Sequence, residues 1–325
     1  MNRAVERIGV PAQLVELAPL LECPACRCDL EVEDDHLRCT GCAGLYPVRD
    51  GVVQLARLGA AETWSGAEPV TSLEYQERYE PVGRAEGYNR AYEERLGKRW
   101  STRREAVLLR RLLGGQGRCG ILLDLPSGGG RLSPTLEPFA NLLVEADIAP
   151  GQLHYAQTRS RLERQPVWMT ASAFHIPFKA KSVDGTVCCR LCHHLPTHAE
   201  RTRLVSELLR VSSRFAVMSF FDYHSLKNVL RRLRRPMDRK PPKLTMTVAE
   251  VRSLAREHEA ELVECPALSF LSSGHRYALM VKTGSGRAGG SGESRWVTGQ
   301  SSSCSATWGE STTSPTSQDP GKPEP

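Results

Sequence analysis

The sequence predicts an α/β fold with a doubly wound sheet, preceded by a small cysteine-rich ribbon and followed by a disordered tail. Three observations support this prediction. A glycine-rich turn lies between two apolar runs that each end in a carboxylate, and four cysteines near the N-terminus form two C-x-x-C pairs. From residue 283 onward the chain is rich in Gly, Ser, Thr and Pro with scarcely any aliphatic side chain, so it cannot bury enough surface to offset the entropy of ordering.

The glycine-rich turn is the strongest functional signal. Residues 122–132 read LLDLPSGGGRL, and residues 142–147 read LLVEAD, which places Asp147 19 positions after Gly128. Glycine permits positive φ and close backbone approach to a ligand, and a carboxylate at the end of the next strand can accept hydrogen bonds from ribose hydroxyls. The dinucleotide motif G-x-G-x-x-G is absent because Pro126 occupies its first position, and no P-loop sequence occurs. The pattern therefore predicts a different adenosine-containing cofactor.

The stretch from Asp124 to Gly130, DLPSGGG, resembles the first motif of class I S-adenosylmethionine (SAM) dependent methyltransferases, D-x-G-x-G-x-G, with Pro126 in place of the first glycine. Three further segments follow in the order of that family. VEADIAPGQL at 144–153 resembles its second strand, MTASAFHIPF at 169–178 resembles G-D-A-x-x-L-P-F, and SVDGTVCCRLCHHL at 182–195 resembles the strand and loop of the small-molecule, type 11-like branch. Four motifs in the order of that family, over residues 117–221, argue against a chance resemblance.

The resemblance implies a Rossmann-like seven-stranded doubly wound sheet and SAM as the cofactor. Ser172 aligns with the aspartate that usually meets the adenine amino group, and together with Ala173 it would border adenine. The resemblance also implies that Asp124 lies near the methionine amino group of SAM and that Asp147 binds its ribose. Gly128 and Gly130 would let the backbone approach the cofactor closely. No catalytic residue is identified: His193 and His194 suit either a polar loop or a general base.

The paired C-x-x-C motifs predict a structural Zn²⁺ site. Cys23 and Cys26 precede Cys39 and Cys42 by a twelve-residue spacer, so four thiolates can close a tetrahedron with no open position for chemistry. A redox centre or a disulfide framework fits this spacing less well, and Cys28 is either a bystander or an alternative ligand. Residues 20–55 resemble the ribbon that precedes bacterial methyltransferases such as the rRNA guanine methyltransferases, which implies contact with a substrate or a partner.

The chain divides into five predicted parts. An N-terminal extension covers residues 1–19, the zinc ribbon 20–58, a helical cap or linker 72–113, the SAM-dependent methyltransferase domain 114–282, and the disordered tail 283–325. Within the last third of the domain, we predict a helix over 199–211, a strand over 215–221, and a final helix and two strands over 247–281. Aromatic side chains of the cap either line the pocket or pack on the core: Tyr75, Tyr79, Tyr88, Tyr92 and Trp100.

Composition indicates a cytoplasmic protein with reduced thiols. The first residues lack a signal-peptide core, and no run of eighteen apolar residues occurs, so no transmembrane segment is predicted. Residues 223–243 carry a net charge of +7 within a chain of net +6. This segment suits RNA phosphates, anionic lipid headgroups or an acidic substrate, and its alternative interpretation is a solvated helix face.

These observations favour a SAM-dependent methyltransferase that acts on a small-molecule acceptor of the quinone, lipid or metabolite kind. Two alternatives stay open: an RNA (rRNA or tRNA) base methyltransferase using the basic 223–243 segment, and a non-catalytic scaffold whose cofactor site is degenerate. In either enzyme, alignment of the acceptor and exclusion of water are the expected sources of catalysis. The sequence leaves the acceptor atom and the oligomeric state open.

Overall fold

The structure, a computed structural model, describes residues 10–56, 77–78, 81–234, 245–269 and 273–284. The predicted disordered tail lies outside the described residues from position 285 onward, and so do Tyr75, Tyr79 and the second half of the basic segment. Among the described residues, no helix has the length and apolar character needed to cross a bilayer.

A seven-stranded sheet forms the centre of the protein, as predicted. Its strands are β5 (Cys119–Asp124), β6 (Ala140–Asp147), β7 (Val167–Thr170), β8 (Val183–Cys188), β9 (Ser212–Phe221), β10 (Ala260–Glu264) and β11 (His275–Lys282). They lie in the order β7-β6-β5-β8-β9-β11-β10, and only β11 runs antiparallel to its neighbours. The carboxyl ends of β5, β6 and β8 therefore meet at one edge, where such sheets bind ligands.

Helices cover both faces of this sheet. They are α1 (Ala12–Leu17), α2 (Val82–Glu94), α3 (Leu96–Gly114), α4 (Ser133–Leu136), α5 (Pro150–Arg159), α6 (His198–Val211), α7 (Leu226–Arg234) and α8 (Val248–Glu257). Side chains of β5 alternate between two hydrophobic cores: Ile121 packs in the core that contains α6 and α8, and Leu122 in the core that contains α3. Capping boxes start α6 and α8, at Thr197 and Thr247, which explains why both helices match their predicted positions closely.

The ribbon extends the central sheet, which the sequence did not predict. Its strands β1 (Leu30–Val32), β2 (His36–Cys39), β3 (Leu45–Arg49) and β4 (Val52–Gln54) form an antiparallel meander. Asp50 and Gly51 join β3 to β4 with φ of 50° and 75°, the positive values of a tight hairpin turn. β4 then pairs in parallel with β7, so the ribbon completes an eleven-stranded sheet and covers an otherwise open edge.

Candidate active site

A cavity of about 330 Å³ opens at the carboxyl ends of β5, β6 and β8. The glycine-rich turn forms one wall, and α2 contributes Tyr88, Asn89 and Tyr92 from the opposite side. The remaining lining combines apolar and cationic groups, among them Phe174, Leu191, Leu195, Arg78, Arg131 and Arg190. A mostly apolar cleft with a few convergent polar groups is the usual form of a small-molecule site.

The glycine-rich turn adopts a backbone conformation that residues with a side chain rarely adopt. Gly128 has φ of +57° and Gly130 has φ of +72°, values that favour glycine. A Cβ atom on Gly128 would meet no atom within 4 Å, so this residue leaves its side of the cavity open. A Cβ atom on Gly129, in contrast, would lie 2.3 Å from Nδ2 of Asn89, which is held by Ala85 and Gln152. The turn is therefore shaped both by φ and by close contact with α2.

Asp147 lies at the end of β6, fully buried, and lines the cavity. Its Oδ2 accepts a hydrogen bond from the Gly128 amide, and its Oδ1 accepts one from the Ala149 amide, each at 2.9 Å. Burial raises the pKa of this carboxyl to about 6, although the backbone amides oppose that rise. One carboxylate thus orients the glycine turn, and because its two oxygens can accept about four hydrogen bonds, the amides of Gly128, Ile148 and Ala149 do not exhaust its acceptor capacity.

Two further buried carboxyls adjoin Asp147. Asp124 and Glu145 are paired across β5 and β6, and both are buried. Within the described chain, neither oxygen of Asp124 has a hydrogen-bond partner, and burial followed by the nearby Glu145 charge raises its pKa well above the ordinary range. Burial also raises the pKa of Glu145 to about 7, which the hydroxyls of Ser127 and Ser133 partly oppose. An uncompensated carboxyl of this kind favours a cationic partner.

The predicted cofactor residues fall into two groups. Gly128, Asp147 and Ala173 line the cavity. Asp124, Gly130 and Ser172 lie outside its lining: Gly130 borders a second cavity of about 370 Å³, and the Ser172 hydroxyl accepts the Phe174 amide at 3.1 Å. The wall beside Ser172 is formed by Ala171 and Ala173, which present an apolar surface.

A buried ion cluster centred on Glu105 supports the cavity wall. The Glu105 carboxylate, carried on α3, lies 2.6 Å from Nη1 of Arg131 and 3.1 Å from Nη2 of Arg190, and it accepts a hydrogen bond from Tyr277. Burial alone would raise the pKa of Glu105, but the two guanidinium groups outweigh it and lower the pKa to about 2. Because both arginines line the cavity, Glu105 fixes two cations beside any bound ligand.

Tyr88 and Tyr92 border the cavity, which is one of the two positions predicted for the aromatic residues of the cap. Trp100 is 60% exposed and lies outside the cavity lining. The two phenol oxygens are 3.4 Å apart, and Lys98 Nζ lies 4.1 Å from the centroid of the Tyr92 ring. Burial would raise the pKa of Tyr92, but the Tyr88 hydrogen bond and the charges of Arg190, Arg131 and Lys98 together lower it. The phenol therefore faces an electropositive part of the cavity.

The adjacent histidines have separate positions. His194 lines the cavity, whereas the ring of His193 packs against Phe221, with centroids 4.4 Å apart, and against His275 at 5.0 Å. His275 is buried, and burial lowers its pKa to about 3. Of the pair, only His194 is placed to contact an acceptor.

The four predicted cysteines form one cluster in the ribbon. The Sγ atoms of Cys23, Cys26, Cys39 and Cys42 all lie within 4.8 Å of one another, and the Cys26–Cys39 and Cys23–Cys42 separations are 3.3 and 3.6 Å. A tetrahedral site with Zn–S bonds of about 2.3 Å places sulfurs roughly 3.8 Å apart, so this arrangement fits the metal. Backbone amides of Ala25 and Gly41 point at Cys23 and Cys39, the outer contacts that orient thiolate ligands.

Sequence reasoning missed the ion cluster and Asn89. One signal for the cluster exists: Glu105 occupies the buried stripe of α3 with Ala106 and Leu109, and a carboxylate on such a stripe requires a cation. The identity of the cations does not follow from the sequence, since Arg131 and Arg190 lie in different loops.

Comparisons with known proteins bear on the fold that carries this site. Residues 123–219 match the family model described as "Methyltransferase domain", and no curated protein matches the sequence. The magnesium protoporphyrin IX methyltransferase of Synechocystis PCC 6803 is similar in fold: its complex with SAH has a TM-score of 0.54 at 17% identity and covers 65% of this chain and 99% of its own. The complex of the same enzyme with SAM has a TM-score of 0.52 at 17% identity, and the match covers 67% of this chain and 100% of the enzyme. A SAM-dependent methyltransferase from Methanosarcina mazei has a TM-score of 0.43 at 19% identity, and the match covers 54% of this chain and 96% of that protein.

Proposed function

We propose that residues 123–219, which match the family model of a methyltransferase domain, form a SAM-dependent methyltransferase whose cavity binds SAM and a small-molecule acceptor of the quinone, lipid or metabolite kind. The observation that carries this proposal is the position of Asp147. Its buried carboxylate lies on the cavity wall and accepts the amides of Gly128 and Ala149, one on each oxygen, and the Ile148 amide is a third backbone group that interacts with it. Lone pairs that these amides do not use can accept from the hydroxyls of a ribose ring.

Neighbouring groups suit the rest of the cofactor. Asp124 lies outside the cavity lining, and we assign its buried carboxyl, which has no hydrogen-bond partner among the described residues, to the ammonium group of the methionine portion. Gly128 leaves room for close approach, and Ala171 and Ala173 offer an apolar surface to adenine. Ser172 lies outside the cavity lining and its hydroxyl accepts the Phe174 amide, so this proposal assigns the adenine surface to the two alanines.

SAM, when bound, supplies an electrophilic methyl group on a sulfonium sulfur. The protein's own task is to hold a nucleophile in line with that group and to exclude water. Phe174, Leu191 and Leu195 provide the apolar boundary that keeps water out. Arg190 and Tyr92 provide fixed polar contacts that orient the acceptor, and His194 is placed to take a proton from it. The aromatic and aliphatic residues along this cleft support a small acceptor.

For the ribbon, we propose one structural Zn²⁺ held by the thiolates of Cys23, Cys26, Cys39 and Cys42. The geometry of the four sulfurs supports this assignment, and Cys28 lies outside the cluster. Four thiolate ligands leave no coordination position for a substrate, so the metal stabilises the ribbon.

Isothermal titration of the purified protein with SAM and with SAH tests the cofactor assignment. We expect Asp147→Ala to weaken binding by about 100-fold or more, because two hydrogen bonds to a charged group are lost. Asp184→Ala is the matched control: Asp184 also accepts a backbone amide, from Ile121 at 2.9 Å, but at the amino end of β8. A folded wild-type protein that binds neither ligand, or equal affinities for the two variants, would overturn the proposal.

A further inference from the structure

Helix α7 exposes its apolar side and buries a polar one. Leu226, Leu230 and Leu233 are 39%, 41% and 72% exposed, whereas Asn228 on the opposite side is 2% exposed. With 100° per residue, the three leucines fall within an arc of about 60°. A helix that packs on a core would present this stripe inward. The orientation of α7 is therefore the reverse of that expected from its sequence.

Polar contacts hold α7 in this orientation. Asn228 donates through Nδ2 to the Asp222 carbonyl oxygen at 2.8 Å and accepts from Nη1 of Arg231 at 3.1 Å. The approach is close, since a Cβ atom on Gly274 would lie 2.6 Å from Asn228 Nδ2. Arg232 donates to the Tyr223 carbonyl at 2.7 Å, which ties the second turn of the helix to the segment before it. The leucines take no part in this anchoring, so they are available to contact another surface.

The polar side of α7 is cationic. On the helical wheel, Lys227 lies about 90° from the centre of the leucine stripe, and Arg231 and Arg232 lie about 130° from it, one on each side of the helix. The surrounding sequence, residues 223–243, carries a net charge of +7. A nucleic acid would satisfy these cations but leave three leucines in water, whereas an anionic bilayer takes up both kinds of group at its interface. We infer that α7 is a docking surface for anionic membrane lipids.

The inferred docking surface adjoins the wall of the cavity. Phe221, the last residue of β9, packs against His193 with ring centroids 4.4 Å apart, and the neighbouring His194 lines the cavity. Arg231 of α7 lies 5.9 Å from the centroid of the Phe221 ring. Because Arg231 lies on the side of α7 away from the leucines, docking would place this wall of the cavity about one helix diameter from the lipid surface. The inference goes beyond the methyl transfer proposed above and does not depend on it, because lipid binding needs no cofactor.

Sedimentation with lipid vesicles tests the inference on the full-length protein. The two vesicle preparations are phosphatidylcholine alone and phosphatidylcholine with about 30% phosphatidylglycerol. We expect binding to the second preparation only, decreasing as salt is raised. Changing Leu226, Leu230 and Leu233 together to Ser should lower the partition coefficient on the order of 100-fold, since each half-inserted leucine contributes a factor of about five.

A matched control replaces three exposed apolar residues outside α7, Val15, Leu45 and Val263, with Ser. This variant should sediment with anionic vesicles as the wild type does, and circular dichroism checks that both variants fold. Absence of wild-type binding to anionic vesicles would overturn the inference. An equal decrease in vesicle binding for the two variants would also overturn it. If the protein binds RNA but not vesicles, and RNA binding survives the leucine substitutions, the surface would be assigned to nucleic acid.

Discussion

Replacement of Glu105 by Gln removes the single carboxylate that holds Arg131 and Arg190 beside the cavity. The glutamine side chain keeps the shape of the glutamate and can still accept the Tyr277 hydroxyl. It places an amide donor, however, where the guanidinium groups require an acceptor. Two largely buried cations are then left without their counter-ion.

Two estimates give the size of the effect. Lowering the pKa of Glu105 from 4.5 to about 2 corresponds to roughly 3 kcal/mol of folding free energy. Breaking a buried ion pair by removing one partner costs about 3–5 kcal/mol. We therefore expect Glu105→Gln to lower the free energy of unfolding by about 3 kcal/mol at pH 7, a large part of the stability of an ordinary domain.

The pH dependence gives the prediction a distinctive form. Because the folded-state pKa of Glu105 is depressed, its contribution is complete above about pH 4.5 and is lost as pH falls toward 2. The difference in unfolding free energy between wild type and Glu105→Gln should therefore shrink by about 2 kcal/mol between pH 7 and pH 3. Urea denaturation followed by tryptophan fluorescence at several pH values measures it.

Glu94→Gln is the control for this measurement, because Glu94 is exposed and lies 3.9 Å from Arg90. It should change the unfolding free energy by less than about 0.5 kcal/mol. A double-mutant cycle with Arg190→Met should give a coupling energy of at least about 1 kcal/mol. A Glu105→Gln loss below about 1 kcal/mol, or one that stays constant as pH falls, would refute the reasoning.

Three further predictions concern the turn, the cofactor and the metal. Gly129→Ala should lower the thermal unfolding midpoint, since its Cβ would lie 2.3 Å from Asn89, and Asn89→Ala should restore most of the loss in differential scanning calorimetry. SAM affinity should fall about tenfold for each pH unit below 6, because the pKa of Asp147 is about 6 and its protonated form loses acceptor capacity; titrations from pH 5 to 8 would contradict this if they were flat. Elemental analysis should find one zinc per chain in wild type and Cys28→Ser but none in Cys26→Ser, and equal zinc in both variants would exclude the four-cysteine assignment.

Much of the fold was predictable because its signals are local. Capping boxes, apolar runs and the glycine turn act over a few residues, so the positions of β5, β6, α6 and α8 followed from the sequence. The paired cysteine spacing predicted a cluster for the same reason, and the four sulfurs do come together. Of the residues predicted to contact the cofactor, Gly128, Asp147 and Ala173 line the cavity, whereas Asp124, Gly130 and Ser172 lie outside its lining, and their cofactor contacts stay predictions.

The sequence by itself determined the order of helices and strands, the glycine turn with its following acid, and the four thiols of the ribbon. Only the tertiary structure decided that β4 pairs with β7, that Glu105 joins Arg131 to Arg190, and that α7 turns its leucines outward. Each of these depends on groups far apart in the chain, whose pairing is set by competition for burial and for hydrogen-bond partners across the whole molecule. Periodicity and spacing describe only the neighbours of a residue along the chain.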